Sequence, residues 1–377
     1  MMLERVAVET GAYETRVLGM VRWPRSEGEL LEFRIRDAAG GPPPPPPANP
    51  GNTFVPAFTL PAMAIGEPLI VNAPVSGRLL RGARDAMDLY HRWWDVKPVE
   101  IAPASTAGPT AAASGVGLFF TAGVDSHYSL LKDLRRADAP GHREITHLVF
   151  ANVHEDDGPD HERLVTRLTE VAQETGKQLL IVETNLRALT EEVVGWNEYH
   201  GAALAAVALA LEGVLGTCLL AAGEDYGHLP PWGSHPLLDP LWSTEGLALV
   251  HDGVEAARVE KISQYLVHSA LALRTLTVCG RTQPGLNCGA CDQCVSTMIA
   301  LEIGGGLGEC ATLPHDLDTE LVRQTRLRGW SQSDSWRELA NQLATVDRPD
   351  LSAAVAEALA GADGGTAWKP MFQRTAR

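Results

Sequence analysis

Three features of the sequence predict an α/β fold with a parallel sheet covered by helices on both faces. Strand-like and helix-like stretches alternate from Val116 to Ala222. The strand-like stretches are mostly apolar, the fourth nearly throughout, as strands buried on both faces are. Polar residues gather where each strand would end, at Thr121 to Ser126, Asn152 to Asp157, Thr184 to Arg187 and Gly223 to Tyr226. In such sheets ligands bind beyond the carboxyl ends of the strands.

Residues 1–108 read as a small β-rich domain closed by a helix. Arg16 to Val21 and Leu30 to Arg36 are strand-like, the second with alternation, and Pro68 to Val71 is a third such run. Pro42 to Pro47 cannot join a ladder or a helix and predict an extended, mobile loop. Leu79 to Trp94 has helical spacing, with Leu80, Ala83, Met87, Tyr90 and Trp94 near one face. Residues 103–115 are small and turn-rich and read as a linker. The main α/β domain is expected over 116–306. Its strands are Val116 to Phe120, Ile145 to Val153, Gln178 to Glu183 and Thr217 to Ala222. Its helices are Asp125 to Ala137, His161 to Thr175 with Gly176 as C-cap, and Glu198 to Leu215 stopped by Gly216. The irregular stretch from His228 to Thr244 contains two tryptophans and reads either as a lid or as a pinned surface loop. One helix is expected over Ala256 to Ala272, carrying Arg258, Glu260 and Lys261, and another over Ser296 to Ile303. Amphipathic helices fill 307–360, at about Asp316–Leu327, Asp334–Ala344 and Leu351–Leu359, and a flexible tail covers 361–377.

The composition narrows the function. A formal net charge of −16 opposes a nucleic-acid partner, because such affinity rests on Lys and Arg neutralising phosphates. It favours a small-molecule substrate or a protein partner. No stretch has the length of a membrane span and no signal-peptide pattern opens the chain, so a cytoplasmic protein is the expectation.

Two motifs carry chemistry. The run Leu118 to Phe120 ends in a small-residue turn, Thr121-Ala122-Gly123-Val124-Asp125-Ser126, followed by helical spacing. Strand, tight loop and helix start form an arrangement that holds phosphate, because backbone N–H groups and the helix dipole face an anion. The same residues suit a plain junction in which Asp125 or Ser126 caps the helix. The second motif is Cys279-x8-Cys288-x2-Cys291-x2-Cys294, four of the six cysteines of the chain. Such clustering in a large chain without a secretion signal points to metal. Four thiolates suit a tetrahedral structural zinc, with an iron–sulfur cluster or a redox dithiol as alternatives. Cys218 and Cys310 have no sequence partners that would make them nucleophiles.

Together these motifs give a resemblance. Thr121 to Ser126 resembles the SGGxDS loop of the PP-loop superfamily, the N-type ATP pyrophosphatases. The cysteine spacing is similar to that of the 7-cyano-7-deazaguanine synthase-like branch, which carries a zinc site downstream of the sheet. The resemblance covers about Val116 to Gly306 and leaves out the N-terminal domain and the C-terminal helices.

The resemblance implies an adenine nucleotide alpha-hydrolase-like fold and an ATP-dependent ligase. Such an enzyme adenylates a carboxylate or carbonyl oxygen, releases pyrophosphate, and replaces AMP by a nitrogen or sulfur nucleophile. ATP, Mg2+ and a structural Zn2+ are the implied cofactors. Thr121, Gly123, Asp125 and Ser126 would hold the β- and γ-phosphates, with the loop backbone from Phe119 and Phe120 through Ala122 and Val124 around them. Phe119 and Asn152 would flank the adenosine, and Asn185 and Arg187 complete the expected cofactor-binding set. Lys261 is the expected phosphate-binding lysine of a late helix. Asp125, Ser126, Lys261, His200 and Asp225 are the expected catalytic residues. His154, Glu155, Trp196, Asn197, Glu224 and Tyr226 are further substrate candidates. The motif departs from the family at Thr121, which keeps a hydroxyl, and at Ala122, whose methyl stands where the family has glycine; at positive φ alanine costs about 1 kcal/mol or more. A second reading follows from Ala122 and the proline run: a catalytically degenerate nucleotide-binding protein that acts as a protein-interaction module. The expected partner is a small molecule, with a homodimer as the one assembly considered, and neither nucleic acid nor a membrane.

Overall fold

The structure is a computed structural model, and it describes residues 1–24, 28–153, 158–279, 285–327 and 329–362, with side chains not described for 329–331. His154 and Glu155, and the tail from residue 363, lie outside the described residues.

Ten strands form one sheet: β1 (Met2–Thr10), β2 (Glu14–Arg22), β3 (Glu29–Asp37), β4 (Leu69–Ser76), β5 (Ile101–Ala107), β6 (Gly115–Phe119), β7 (His147–Asn152), β8 (Gln178–Thr184), β9 (Leu215–Ala221) and β10 (Ala248–Asp252). Their order is β10-β9-β6-β7-β8-β3-β2-β1-β4-β5. Twelve α-helices are described: α1 (Gly51–Ile65), α2 (Gly77–Trp94), α3 (Val124–Arg135), α4 (Pro159–Thr175), α5 (Leu186–Thr190), α6 (Trp196–Ala210), α7 (Arg258–Glu260), α8 (Ala270–Thr275), α9 (Asp292–Ile303), α10 (Thr319–Gln324), α11 (Gly329–Leu343) and α12 (Pro349–Ala360).

β10, β9, β6, β7 and β8 run parallel. Every residue of β6 and nearly all of β7 and β8 are buried, as a sheet covered on both faces requires. One face is packed by α3 and α4 through Leu118, Phe120, Leu130, Phe150 and Leu168. The other face takes the alanine-rich α6 against Phe119, Val149 and Leu220. The chain steps from β6 to β7 and β8 on one side, then returns to place β9 on the other side of β6. The crevice between the ends of β6 and β9 is therefore the topological switch point, where open α/β sheets bind ligands.

The expected β-rich N-terminal region supplies β1 to β5 to this same sheet. β3 pairs antiparallel with β8, Phe33 opposite Thr184 through Asp37 opposite Leu180. The hydrophobic cluster holding Leu3, Phe33 and Phe54 also holds Phe119, Leu180 and α6. β2 alternates strictly, burying Thr15, Val17, Gly19 and Val21. The opposite face carries ion pairs such as Arg22–Glu4 (2.8 Å). At Gly19 a side chain would collide with the Phe54 ring, so glycine lets α1 approach the sheet.

Several elements differ from the sequence expectation. Residues 103–107 of the expected linker belong to β5. The segment from Phe54 to Pro61 is the sealed helix α1, with Pro56 and Pro61 inside it. The proline run is seated: the Pro44 carbonyl accepts from Thr15 Oγ1 (2.5 Å), and Pro46 lies against Gly213, where a side chain would collide. α6 ends at Ala210, ahead of Gly216, which lies in β9. The helix expected over Ala256 to Ala272 is broken into α7, a π-helical turn at Lys261–Tyr265, a 3-10 turn at Leu266–His268 and α8. The His228 to Thr244 stretch is pinned: Trp242 is fully buried near Tyr90, and Gly82 of α2 sits against the Leu241 carbonyl. Among the described residues no helix is long and apolar enough to cross a membrane.

Candidate functional site

The Thr121–Ser126 loop lies at the switch point. Phe120 still bonds to the sheet, its N–H donating to Val149 O (2.9 Å). The chain then turns through Ala122 at φ +57°. The Ala122 methyl is fully buried, in the cluster with Leu118, Phe120 and Leu130. Its carbonyl accepts from Thr277 N–H (2.8 Å). The methyl thus fills core beneath the loop, and the left-handed turn is tied down from the side.

Helix α3 starts with Gly123 as N-cap and has no side-chain cap. Ser126 Oγ instead donates to Gly123 O (3.2 Å). His127 donates to the same carbonyl from its N–H and from Nδ1, both at 3.0 Å, and its Nε2 lies 3.0 Å from Thr275 Oγ1. Burial pushes the His127 pKa down to about 4, against the pull of the carbonyl hydrogen bonds, so the ring is neutral at pH 7. Among the described residues, no protein acceptor is bonded to the N–H groups of Gly123, Val124, Asp125 and Ser126. Those first-turn donors are the groups that bind an anion at a helix N-terminus.

Two cations reach the loop. Lys261 is fully buried, yet its Nζ bonds to Asp125 Oδ1 (3.1 Å) and to Ala222 O at the end of β9 (2.6 Å). It also lies 5.5 Å from the Tyr128 ring centre. Arg258, three residues earlier, bonds to Asp125 Oδ2 (2.9 Å). A sealed lysine is stable only with such partners. The π-helical turn that begins at Lys261 is an uncommon geometry often found at functional sites. On the far side of α3, Lys132 bridges Asp252 (2.8 Å) and Glu255 (2.7 Å), and Ser129 donates to Asp252 (2.6 Å), clamping α3 to β10.

The structure brings Thr121, Ala122, Gly123, Val124, Asp125, Ser126 and Lys261 together. Phe119 and Phe120 adjoin them with rings in the core, Phe120 against His127 at 5.0 Å. Asn152 ends β7 in the next strand, 3.4 Å from His161 Nδ1. Asp225, after β9, accepts from Gly227 N–H (2.6 Å) and from His228 Nδ1 (3.0 Å). His228 also reaches Asp334 of α11 (3.3 Å), and its pKa is raised, first by the Asp225 hydrogen bond. Asp225 and Arg258 share a cavity of about 50 Å³. Three expected residues stand elsewhere. Asn185 latches β8 to β3, donating to Leu30 O (2.8 Å) and accepting from Glu32 N–H (3.0 Å). Arg187 lies over the Trp196 ring at 4.9 Å. His200 sits on α6, on the opposite face of the sheet from α3, with Nδ1 3.2 Å from Trp196 O and Asn197 O. Arg258, His127 and Thr277 join the loop without having been expected there. Of these only Arg258 had a sequence signal, its i, i+3 spacing from Lys261.

The four cysteines fit a metal. Their sulfurs all lie within 4.8 Å of one another, with Cys279–Cys291 at 3.8 Å and Cys288–Cys294 at 3.9 Å. A tetrahedron with zinc–sulfur bonds of about 2.3 Å has edges of about 3.8 Å. Cys288 Sγ accepts N–H groups from Ala290 (3.4 Å) and Cys291 (3.2 Å), and Cys291 Sγ one from Cys294 (3.5 Å). Burial pushes the Cys288 thiol up, but these donors and its cysteine neighbours outweigh it and hold its pKa down to about 7. Gly289 makes the turn at φ +67°. The centre adjoins the loop through Asn287, which accepts from Val278 N–H (2.8 Å) and donates to Leu276 O (2.9 Å) on either side of Thr277.

Comparison with protein-family models, with curated proteins and with solved structures gives no match.

Proposed function

We propose that the chain is an ATP-dependent ligase of the PP-loop class. In this reading the Thr121–Ser126 loop takes the β- and γ-phosphates, with Mg2+ offsetting their charge. The observation that carries it is the pairing of four open N–H donors with the sealed Lys261 at the switch point of a parallel sheet. A substrate oxygen attacks the α-phosphorus and pyrophosphate departs into that nest. The donors, Lys261 and Arg258 face the charge that develops on the leaving group, which is the main demand of phosphoryl-type transfer. A nitrogen or sulfur nucleophile then displaces AMP. The four cysteines would hold a structural Zn2+ that fixes the Thr277 segment against Ala122.

A second reading has one observation in its favour. Each oxygen of Asp125 already carries a cation, one from Lys261 and one from Arg258. A protein that bound nucleotide without turnover would keep such a closed triad. Incubation with ATP, Mg2+ and a panel of small carboxylic acids with ammonium separates the two. The ligase reading expects AMP and pyrophosphate in equal amounts, lost in Asp125→Ala. ATP binding without either product supports the module, and absence of ATP binding defeats both.

A further inference from the structure

On the sheet face opposite α3 stand two histidines, His251 and His200, each with Nδ1 held by an oxygen acceptor. His251 and Asp252 are neighbours in β10 and point to opposite faces, Asp252 toward α3 and His251 toward α6. His251 Nδ1 lies 2.7 Å from Asp239 Oδ2. A carboxylate only accepts, so Nδ1 carries the hydrogen, and in the neutral form of an imidazole held this way the lone pair is on Nε2. Asp239 is fully buried and is held in turn by Ser234 Oγ (2.7 Å) and His235 N–H (3.3 Å). The His251 side chain is only 6% exposed. Its Nε2 has no hydrogen-bond partner among the described residues, and it is not one of the sealed, unpartnered atoms of the core. His200 lies on the same face: its Nδ1 faces the Trp196 and Asn197 carbonyls, and its ring centre is 5.9 Å from that of Trp232.

A carboxylate-oriented imidazole with an open Nε2 is the form a general base takes. His251 shares the α6 face with His200, but it stands next to last in β10, at the carboxyl edge of the sheet to which the loop also belongs. His251 pairs with Leu220 of β9, and Leu219 with Leu118 of β6, so His251 lies level with Phe119, just below the phosphate loop. Two strand spacings separate them across the sheet, about 10 Å.

We propose that His251, oriented by Asp239, is the general base that takes the proton from an amine nucleophile as it attacks the adenylated substrate. This rests on the ligase reading above. In the step, the nitrogen–carbon bond forms and the nitrogen's proton passes to His251 Nε2. The bond from carbon to the AMP oxygen breaks, and its electron pair leaves on the phosphate. His251 touches the nucleophile, and Asp239 is a positioning residue.

The test has two arms on the full chain. Diethyl pyrocarbonate at pH 7 modifies open, neutral imidazole nitrogens. Peptide mass spectrometry is expected to find His251 carbethoxylated, and an unmodified His251 overturns the proposal whether or not the protein uses ATP. The second arm compares pyrophosphate exchange into ATP, which reads adenylation, with amide formation from ammonium, across the same panel of carboxylic acids. His251→Gln is expected to lower amide formation by about 100-fold or more beyond any change in exchange. Asp239→Asn, which reverses the tautomer, is expected to do the same to a lesser degree, with hydroxylamine, a nucleophile that needs no base, restoring both. Equal loss of exchange and amide formation, or no loss, overturns the base. Absence of exchange in the unmodified protein sinks the ligase reading instead, and the first arm still decides whether the base is open.

Discussion

Ala122 and Gly289 hold the same left-handed backbone, φ +57° and φ +67°, one in the loop after β6 and the other in the turn of the cysteine cluster. At Gly289 a methyl would meet Pro314 Cγ at 2.9 Å, so any side chain there forces the proline to shift. At Ala122 the methyl has a place, sealed among the core residues under β6 and α3. The cysteine turn is constrained by space, whereas the Ala122 turn is constrained by what grips its carbonyl. What alanine brings at this position is therefore backbone strain, since its methyl points into the core and away from the loop's N–H groups.

The largest effect that separates the two turns is loss of the metal ligands. Cys294→Ser should destabilise the chain by more than about 4 kcal/mol, the range seen when a structural metal is lost. Denaturant unfolding of the metal-loaded protein, with metal content measured alongside, checks this; unchanged stability with metal still bound would break the assignment. Next, Gly289→Ala should cost about 1–3 kcal/mol through the strained φ and the Pro314 contact. A cost below that range would mean the knuckle has room to relax.

The Ala122 turn is expected to respond to pH through His127. Its folded pKa is depressed, so its contribution to stability is fully present above the unfolded value near 6.5 and is lost as pH falls toward about 4. Thermal unfolding between pH 7 and pH 4 should show that slope reduced in His127→Phe; an unchanged slope would place the acid sensitivity elsewhere. The smallest effect belongs to Ala122→Gly. Relief of the positive φ opposes the lost methyl burial and the greater freedom of the unfolded chain, leaving a net change within about 1 kcal/mol. A larger loss would show that the methyl, and not the Thr277 hydrogen bond, holds the turn.

Much of the parallel half was legible, because β6 to β9 are apolar runs and Gly176 marks a helix end at φ +68°. The cysteine cluster was legible from spacing alone. Other features left no local trace. α1 was hidden by Pro56 and Pro61, whose burial against the sheet and α6 overrides their helix-breaking tendency. β10 is five residues long and ends in His251 and Asp252, so periodicity could not separate it from a loop. The joining of β3 to β8 depends on edge-to-edge hydrogen bonds, which carry no composition signature. The break at Lys261 coincides with tertiary bonds, from its Nζ to Asp125 and to the Ala222 carbonyl, which local sequence does not encode. The same limit hid Thr277 and His127, which act on the loop from about 150 and 1 to 6 positions away in sequence.

The proposed ligase activity requires the Thr121–Ser126 loop to bind the phosphates of ATP. Calorimetric titration of ATP with Mg2+ into the full chain, compared with Lys261→Met, tests it. One ATP per chain is expected, with affinity falling at least about 30-fold in the variant, the equivalent of losing about 2 kcal/mol from a buried charged hydrogen bond. An unmodified protein that takes up no ATP, or a variant that binds it equally well, would contradict the phosphate site.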